Sequence, residues 1–278
     1  MKLKSLAICA LALVSVLPLN ARGRRQVAIV AHRGYWLCEA GGNAHNSIAS
    51  LKAAQKESFW GSEFDVNMTK DGELLVFHDE GVAGMNFIDH NAADFADIRL
   101  GNGEKIPTLD EYLTQFEKNK KCRLVFELKY HPYELEETAV DKCIAALKAH
   151  NLYDPKQVIF ISFSMHECML FAQKCPEFIV QYLGSDPDPN VTFANGVNGV
   201  DTYFGTLYQK TDWYSQARAN GMSVNVWTVD KKEDMRKMIE TGVDYITTNK
   251  PDELRQLLKE MKIKELKAGK NFKTPKKK

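Results

Sequence analysis

The sequence predicts an α/β protein built as one (β/α)8 barrel, the TIM-barrel fold, with a small insertion after the second strand. Short β-branched apolar runs alternate with amphipathic segments, a pattern typical of repeated strand-helix units. Eight such units occupy roughly 240 residues, close to the ~250 residues of a typical barrel. No glycine-rich phosphate loop follows the first strand, which disfavours an open doubly wound sheet.

The eight predicted strands share a short length and a high content of β-branched and aromatic residues. They are residues 27–31, 62–68, 123–128, 158–163, 179–183, 199–203, 223–229 and 244–248. Helical patterns lie between them. In the last one, Leu254, Leu257, Leu258 and Met261 have the i, i+3, i+4, i+7 spacing of an amphipathic helix.

One segment, residues 69–107, interrupts this alternation. It contains a turn signal at Lys70, Asp71 and Gly72, an extra strand at 74–78, and a region rich in Gly, Asn and Asp. We interpret it as an insertion between the second strand and its helix. Long insertions in compact domains are usually functional or disordered.

Both ends of the chain differ in composition from the predicted barrel domain, 22–264. Residues 1–21 resemble a secretory signal peptide, with Lys2 and Lys4 before an apolar stretch, and they predict export to the periplasm or secretion. The bulky Ile8 argues against lipoprotein processing at Cys9. Residues 265–278 form a Lys-rich tail.

The net charge of +1 hides an uneven distribution. From Lys262 to the end, eight lysines and one glutamate carry +7, which leaves −6 on the rest of the chain. An acidic body without aromatic residues between basic ones argues against nucleic-acid binding. The tail is the one feature that favours association with a membrane or another anionic surface.

Polar residues are predicted at the carboxyl ends of strands, where barrel enzymes have their active sites. Glu63 and Asp65 lie two apart on the second strand and therefore project from the same face. With Glu127 on the third strand they would repel one another unless a cation neutralises them. Oxygen ligands favour a hard ion, Mg²⁺ or Ca²⁺. The alternative is two ordinary ion pairs, Glu63 with Arg33 and Glu127 with Lys129.

Two of the seven histidines lie at strand ends beside a charged residue. They are His32, after the first strand, and His78, after the extra strand. Two imidazoles beside a metal-bound phosphate can act as general base and general acid near neutral pH. Trp227, at the end of the seventh strand, is expected to form an apolar wall of the pocket.

Motifs along nearly the whole predicted domain resemble the glycerophosphodiester phosphodiesterase family. In order, they are His32-Arg33-Gly34, Asn46-Ser47, Glu63-Phe64-Asp65-Val66, Thr69-Lys70-Asp71-Gly72, Val76-Phe77-His78-Asp79, Glu127-Leu128-Lys129, Ser162-Phe163, Val226-Trp227-Thr228-Val229 and Gly242-Val243-Asp244. Each motif alone is weakly specific, but together they are specific.

The resemblance implies cleavage of a small-molecule glycerophosphodiester to glycerol 3-phosphate and an alcohol, through a cyclic phosphate. It also implies the residue roles. Glu63, Asp65 and Glu127 would bind the divalent cation, His32 and His78 would be the acid and the base, and Arg33 and Lys129 would bind the phosphate.

The chain also departs from the family pattern. His45 stands where a glutamate is usual, and we hypothesise that His45 or Glu39 supplies the missing contact near Arg33. Asn249 stands where an aspartate is common. The alternative functions are a lipid-facing relative on the same barrel, of the lysophospholipase D or sphingomyelinase D type, and a binding protein without activity, which the intact motifs argue against.

Overall fold

The computed structural model describes residues 26–268. Within this range, eight parallel strands close into a barrel, and at least one helix separates each strand from the next one around it. The predicted (β/α)8 barrel is therefore confirmed. The predicted signal peptide, 1–21, and most of the predicted tail, 265–278, lie outside the described residues.

The strands of the described part of the chain are numbered in chain order. They are β1 Gln26–Ala31, β2 Gly61–Met68, β3 Leu74–Val76, β4 Gly81–Val82, β5 Met85–Asn86, β6 Arg123–Leu128, β7 Val158–Ser162, β8 Ile179–Leu183, β9 Gly199–Tyr203, β10 Ser223–Trp227, β11 Tyr245–Thr248 and β12 Lys264–Glu265. The barrel consists of β1, β2 and β6 to β11.

The helices are numbered in the same way. They are α1 Ile48–Glu57, α2 Leu109–Glu117, α3 Tyr133–Ala149, α4 Met165–Lys174, α5 Pro189–Ala194, α6 Phe204–Gln209, α7 Trp213–Ala219, α8 Lys232–Thr241 and α9 Pro251–Glu260. Short 3-10 helices occur at Glu39–Gly41, Phe87–Asp89 and Ala92–Phe95. Among the described residues, none of the helices is long and apolar enough to span a membrane.

The barrel closes because β1 pairs with β2 on one side and with β11 on the other. All barrel pairings are parallel, so the carboxyl ends of the eight strands open onto one face. Most strand residues are buried on both sides, since helices cover the outside and side chains fill the inside. This packing explains why the strands read as nearly continuous apolar runs.

The turn after β1 is held tightly against α1. Gly34 has a φ of 79°, and a Cβ there would approach the Ser50 Oγ to 2.3 Å, so only glycine fits. The neighbouring Arg33 also has a positive φ, 55°, which is uncommon for a residue with a side chain. Ser47 caps α1 by accepting a hydrogen bond from the Ser50 amide. These contacts hold Arg33 and Asn46 at the mouth of the barrel.

The insertion predicted at 69–107 contains β3, which pairs antiparallel with β2, and a β4–β5 hairpin. Leu75, Phe87, Phe95 and Ile106 give it a small apolar core of its own. Because β3 is hydrogen-bonded to β2, the residues that follow β3 are carried to the open face of the barrel. The extra strand ends at Val76, before the predicted end at 78.

The last described residues pack onto the barrel. Lys264 and Glu265 pair with Gln26 and Val27 of β1, and Leu266 is buried. The packed chain thus extends two residues past 264, where the sequence predicted the end of the domain.

Candidate active site

The candidate active site is a cavity of about 90 Å³ at the open face of the barrel. All eight barrel strands, or the residues just after them, contribute to its lining, and so does the insertion. Six of the eight predicted site residues line it, namely His32, Arg33, Glu63, His78, Glu127 and Trp227. The other two, Asp65 and Lys129, contact members of this set.

Three buried carboxylates form a cluster beside the cavity. Glu63 and Asp65 project from the same side of β2, and the β2–β6 register places Asp65 directly opposite Glu127. One oxygen atom from each carboxylate lies within 4.8 Å of the other two. The side-chain alternation predicted the Glu63 and Asp65 pair, and the register adds Glu127.

Two basic side chains border the cluster. Lys129 Nζ lies 2.7 Å from Glu127 Oε1 and 3.4 Å from Asp65 Oδ1, so the ion pair between Lys129 and Glu127 is present. Arg33 Nε lies 3.7 Å from Asp65 Oδ2, whereas Glu63 Oε2 accepts a hydrogen bond from the backbone amide of Arg33 at 2.7 Å. The guanidinium of Arg33 is thus paired with Asp65, not with Glu63 as the ion-pair alternative assumed.

The electrostatics of the three carboxylates differ. Burial, followed by the charges of Asp65 and Glu127, raises the pKa of Glu63 well above its ordinary value. Burial and the charge of Asp65 raise the pKa of Glu127 to about 8, against the effect of Lys129. Burial also disfavours the charge of Asp65, but Lys129 and other positive or hydrogen-bonding neighbours hold its pKa below the ordinary value.

His32 lies at the end of β1 with its two ring nitrogens in different surroundings. Nδ1 lies 2.8 Å from Asn249 Oδ1, and Nε2 lies 4.0 Å from Glu63 Oε2 on the cavity side. The backbone amide of His32 donates to the carbonyl of Thr248 in β11. Burial and the charge of Arg33 lower the pKa of His32 to about 4.

His78 follows β3 and reaches the same cavity from the insertion. Its Nδ1 lies 2.6 Å from Oδ1 of the neighbouring Asp79. A carboxylate only accepts hydrogen bonds, so this Nδ1 carries a proton when Asp79 is ionised. The two predicted catalytic histidines therefore border one cavity, although they are 46 positions apart in the sequence.

Comparison with known proteins agrees with this geometry. The sequence pattern of the glycerophosphoryl diester phosphodiesterase family matches residues 32–253, from the first site histidine into α9. The chain belongs to this family. Family members are phosphoric diester hydrolases that act on glycerophosphodiesters, and this chain is an enzyme of that class.

Individual relatives show the extent of the similarity. A glycerophosphodiester phosphodiesterase of Bacillus subtilis (strain 168) is 30% identical over 257 residues, which cover 82% of this chain and 85% of that protein. A crystal structure of a glycerophosphodiester phosphodiesterase from Parabacteroides distasonis has a TM-score of 0.83 and 38% identity, covering 86% of this chain and 100% of that one. A phosphodiesterase from Oleispira antarctica, solved with sn-glycerol 3-phosphate, has a TM-score of 0.71, 22% identity, and coverage of 84% and 97%.

The carboxylate cluster of this phosphodiesterase has the chemistry of a divalent-cation site. Its family in general depends on a divalent cation. Three carboxylates, Glu63, Asp65 and Glu127, face two basic side chains, so the charges of the protein alone do not balance when all three are ionised. Burial is the main cause of the raised pKa values of Glu63 and Glu127, and the neighbouring negative charges add to it. A hard cation with oxygen ligands fits such a set.

Trp227 lies in an apolar wall of the phosphodiesterase cavity. The Trp227 ring packs edge-on against Phe163, at 5.7 Å between centroids, and its Nε1 donates to the carbonyl of Asp201. Leu183 and Ile161 extend this wall.

Asp201 is a lining residue that the sequence reasoning missed. It lies on β9 and is 1% exposed, and its Oδ2 accepts a hydrogen bond from Asn225 while its Oδ1 has no partner among the described residues. Burial, and then the charge of Glu127, raise the pKa of Asp201 well above its ordinary value. The sequence did contain one signal for Asp201, because it is the single acidic residue within the predicted strand 199–203.

A second cavity, of about 300 Å³, adjoins the first and shares Arg33 and His78 with it. It lies between the loop after β1 and the insertion, and His45 and Arg99 are among its lining residues. His45 and Arg33 thus line the same cavity, and the His45 ring packs edge-on against Trp36 at 4.0 Å between centroids. Glu39 is exposed on the short helix Glu39–Gly41.

Proposed function

We propose that this phosphodiesterase hydrolyses glycerophosphodiesters to glycerol 3-phosphate and an alcohol, with His32 and His78 as proton-transfer groups and with a divalent cation. The observation that carries the proposal is that two histidines line one cavity together with a cluster of three buried carboxylates and two basic side chains, of which only Asp65 and Lys129 lie behind the lining. The Oleispira antarctica relative, which binds sn-glycerol 3-phosphate, supports the same product here.

Glu63, Asp65 and Glu127 would hold the cation, Ca²⁺ or Mg²⁺, which when bound supplies positive charge for the phosphoryl oxygens. Arg33 and Lys129 supply further positive charge from the protein. Both side chains are already held by carboxylates, which limits the reorganisation that phosphate binding requires.

The two cavities suggest how the substrate lies. Arg33 and His78 border both cavities, so the phosphate lies at their junction. His32 borders only the first cavity, which places the glycerol unit there, next to His32. The alcohol then extends into the second, larger cavity beside His78.

This orientation assigns the roles of the two histidines. His32 accepts the proton of the glycerol hydroxyl next to the phosphate as that oxygen attacks the phosphorus. His78 donates a proton to the alcohol oxygen as the bond from phosphorus to that oxygen breaks, which leaves a cyclic phosphate. Water then opens the cyclic phosphate, with His78 taking the proton of the water and His32 returning one to the glycerol oxygen.

The glycerol unit has an apolar wall and one polar contact in the first cavity. Its carbon edge lies against Trp227, and a hydroxyl group pairs with the free Oδ1 of Asp201. A pocket that is mostly apolar with a few placed polar groups is typical of small-molecule sites. An unpaired buried oxygen such as Asp201 Oδ1 costs free energy until a ligand hydroxyl satisfies it.

The test is release of glycerol 3-phosphate from glycerophosphocholine, glycerophosphoethanolamine and glycerophosphoinositol. We expect release from at least one of them, loss of release with EDTA, and recovery with Ca²⁺ or Mg²⁺. Glu63→Gln is expected to weaken metal binding and turnover, whereas Glu80→Gln, an exposed carboxylate of the insertion, serves as the matched control.

Two results would contradict the proposal in different ways. Turnover that survives chelation, with Glu63→Gln equal to Glu80→Gln, would remove the cation from the mechanism. Release of choline from lysophosphatidylcholine, without glycerol 3-phosphate from any of the three diesters, would support the lipid-facing alternative, which the comparisons do not favour.

A further inference from the structure

The inner edge of the His32 ring contacts Asn249, the first residue after β11. His32 Nδ1 and Asn249 Oδ1 are 2.8 Å apart. Either nitrogen of a neutral imidazole can carry the proton, and its partners decide which one does. The tautomer of His32 therefore depends on whether the Asn249 oxygen or the Asn249 NH₂ group faces Nδ1.

Two neighbours determine the orientation of the Asn249 amide. Trp36 Nε1, which can only donate, lies 3.0 Å from Asn249 Oδ1. Asp230 Oδ2, which can only accept when ionised, lies 2.7 Å from Asn249 Nδ2. A flipped amide would place its NH₂ group against the indole N–H and its oxygen against the carboxylate.

Asp230 is itself held in place. Its Oδ1 accepts hydrogen bonds from the backbone amide of Asn249 at 2.8 Å and from Thr248 Oγ1 at 3.0 Å. The indole N–H of Trp36 only donates and the ionised carboxylate of Asp230 only accepts, so these two contacts leave one orientation for the Asn249 amide, with Oδ1 toward His32.

We infer that Asp230, Asn249 and Trp36 are positioning residues that keep His32 in the tautomer with the proton on Nδ1. Nε2, on the cavity side, then carries the lone pair that a general base requires. The inference rests on the proposed role of His32 as the base. It predicts that the carboxylate of Asp230 determines the His32 tautomer through two hydrogen bonds, one with Asn249 and one between Asn249 and His32.

The decisive experiment exchanges the amide and the carboxylate. In Asp230→Asn, the new NH₂ group faces another N–H donor of Asn249, so one hydrogen bond is lost. In Asn249→Asp, the new carboxylate faces the carboxylate of Asp230. In the double variant, the new amide at position 230 can donate to the new carboxylate at position 249, which still accepts from Trp36 and His32. We expect each single variant to lower kcat by about 10- to 100-fold, and the double variant to return within about threefold of the wild type.

The second measurement does not depend on turnover. The ¹⁵N chemical shifts of ¹⁵N-histidine-labelled protein report which ring nitrogen of His32 is protonated, and a His32→Gln spectrum assigns the signal. We expect a protonated Nδ1 and an unprotonated Nε2 in the wild type and in the double variant, and a mixture in the single variants. The exposed Asp97→Asn variant is the control for the loss of one negative charge.

The outcomes separate this inference from the proposed function. A wild-type His32 with the proton on Nε2 overturns it whether or not any variant folds, and so does a double variant as slow as the slower single variant. If the wild type has the expected tautomer but releases no glycerol 3-phosphate, the proposed function fails while the positioning network stands. Trp36→Phe provides a milder change if Asp230→Asn does not fold.

Discussion

His32 and His78 border the same cavity, but they are held in different ways. His32 belongs to the barrel, where its side chain is 17% exposed and a network from β10 and β11 holds its Nδ1. His78 belongs to the insertion, where its side chain is 39% exposed and its one side-chain partner among the described residues is Asp79, which is 70% exposed. In both rings Nδ1 is bound and Nε2 remains for the substrate.

The difference suggests a division of labour. A general base that must accept a proton in one geometry benefits from a rigid support on barrel strands. In the proposed orientation, His78 on the insertion would face the alcohol, which is the variable part of the substrate. The second cavity lies between this insertion and the loop after β1, with Arg99 on one side and His45 on the other.

The largest expected effect is the loss of either ring. His32→Ala and His78→Ala are each expected to reduce kcat by about 10²- to 10⁴-fold, since each removes a positioned proton-transfer group. Steady-state release of glycerol 3-phosphate measures the effect, thermal unfolding checks the fold, and His90→Ala, another histidine of the insertion, is the control. Turnover within a few-fold of the wild type in either variant would exclude that histidine from catalysis.

A better leaving group is expected to distinguish the two rings. When 4-nitrophenol replaces the alcohol, the departing oxygen needs little protonation, so the general acid becomes less important. In the first-turnover release of 4-nitrophenolate, which precedes the opening of the cyclic phosphate, we expect His78→Ala to regain roughly tenfold or more relative to the wild type, while His32→Ala stays slow. Recovery of His32→Ala in place of His78→Ala would exchange the two roles. Equal recovery of both variants would contradict the assignment of different roles to the two histidines.

Part of this site could be predicted from the sequence, because two simple rules apply. Strand alternation places Glu63 and Asp65 on one side of β2. In a parallel barrel, the carboxyl ends of all strands open onto one face, which brings His32 and Glu127 together despite their separation in the chain. These rules do not place His78, which reaches the cavity because β3 of the insertion pairs with β2.

Other features depend on register and side-chain packing, which the sequence pattern does not contain. Arg33 pairs with Asp65 and not with Glu63, and its backbone has a positive φ, which no sequence pattern indicated. The contact between Asp230 and Asn249 requires β10 and β11 to be neighbours with the observed offset. Asp201 lies on β9 and lines the cavity, but no sequence motif next to it indicated a functional role.

The wall opposite the histidines is expected to contribute to binding more than to turnover. Asp201→Leu should raise KM roughly tenfold with a smaller change in kcat, because a glycerol hydroxyl loses its partner in a buried pocket. Asp201→Asn keeps an acceptor for Asn225 and offers an amide to the hydroxyl, so its KM should stay within about threefold of the wild type. A fall in kcat without a change in KM would place Asp201 with the histidines instead.

The smallest expected effect concerns the exposed partner of His78. Asp79→Asn removes one exposed charged pair, and such pairs contribute about 0–1 kcal/mol, so we expect less than about a fivefold loss of kcat. Its effect should also shrink at high salt, because exposed charges are screened. Asp230→Asn, measured beside it, should lose more and show little salt dependence. If Asp79→Asn and Asp230→Asn had equal effects on kcat, the different supports of His32 and His78 would not matter for catalysis.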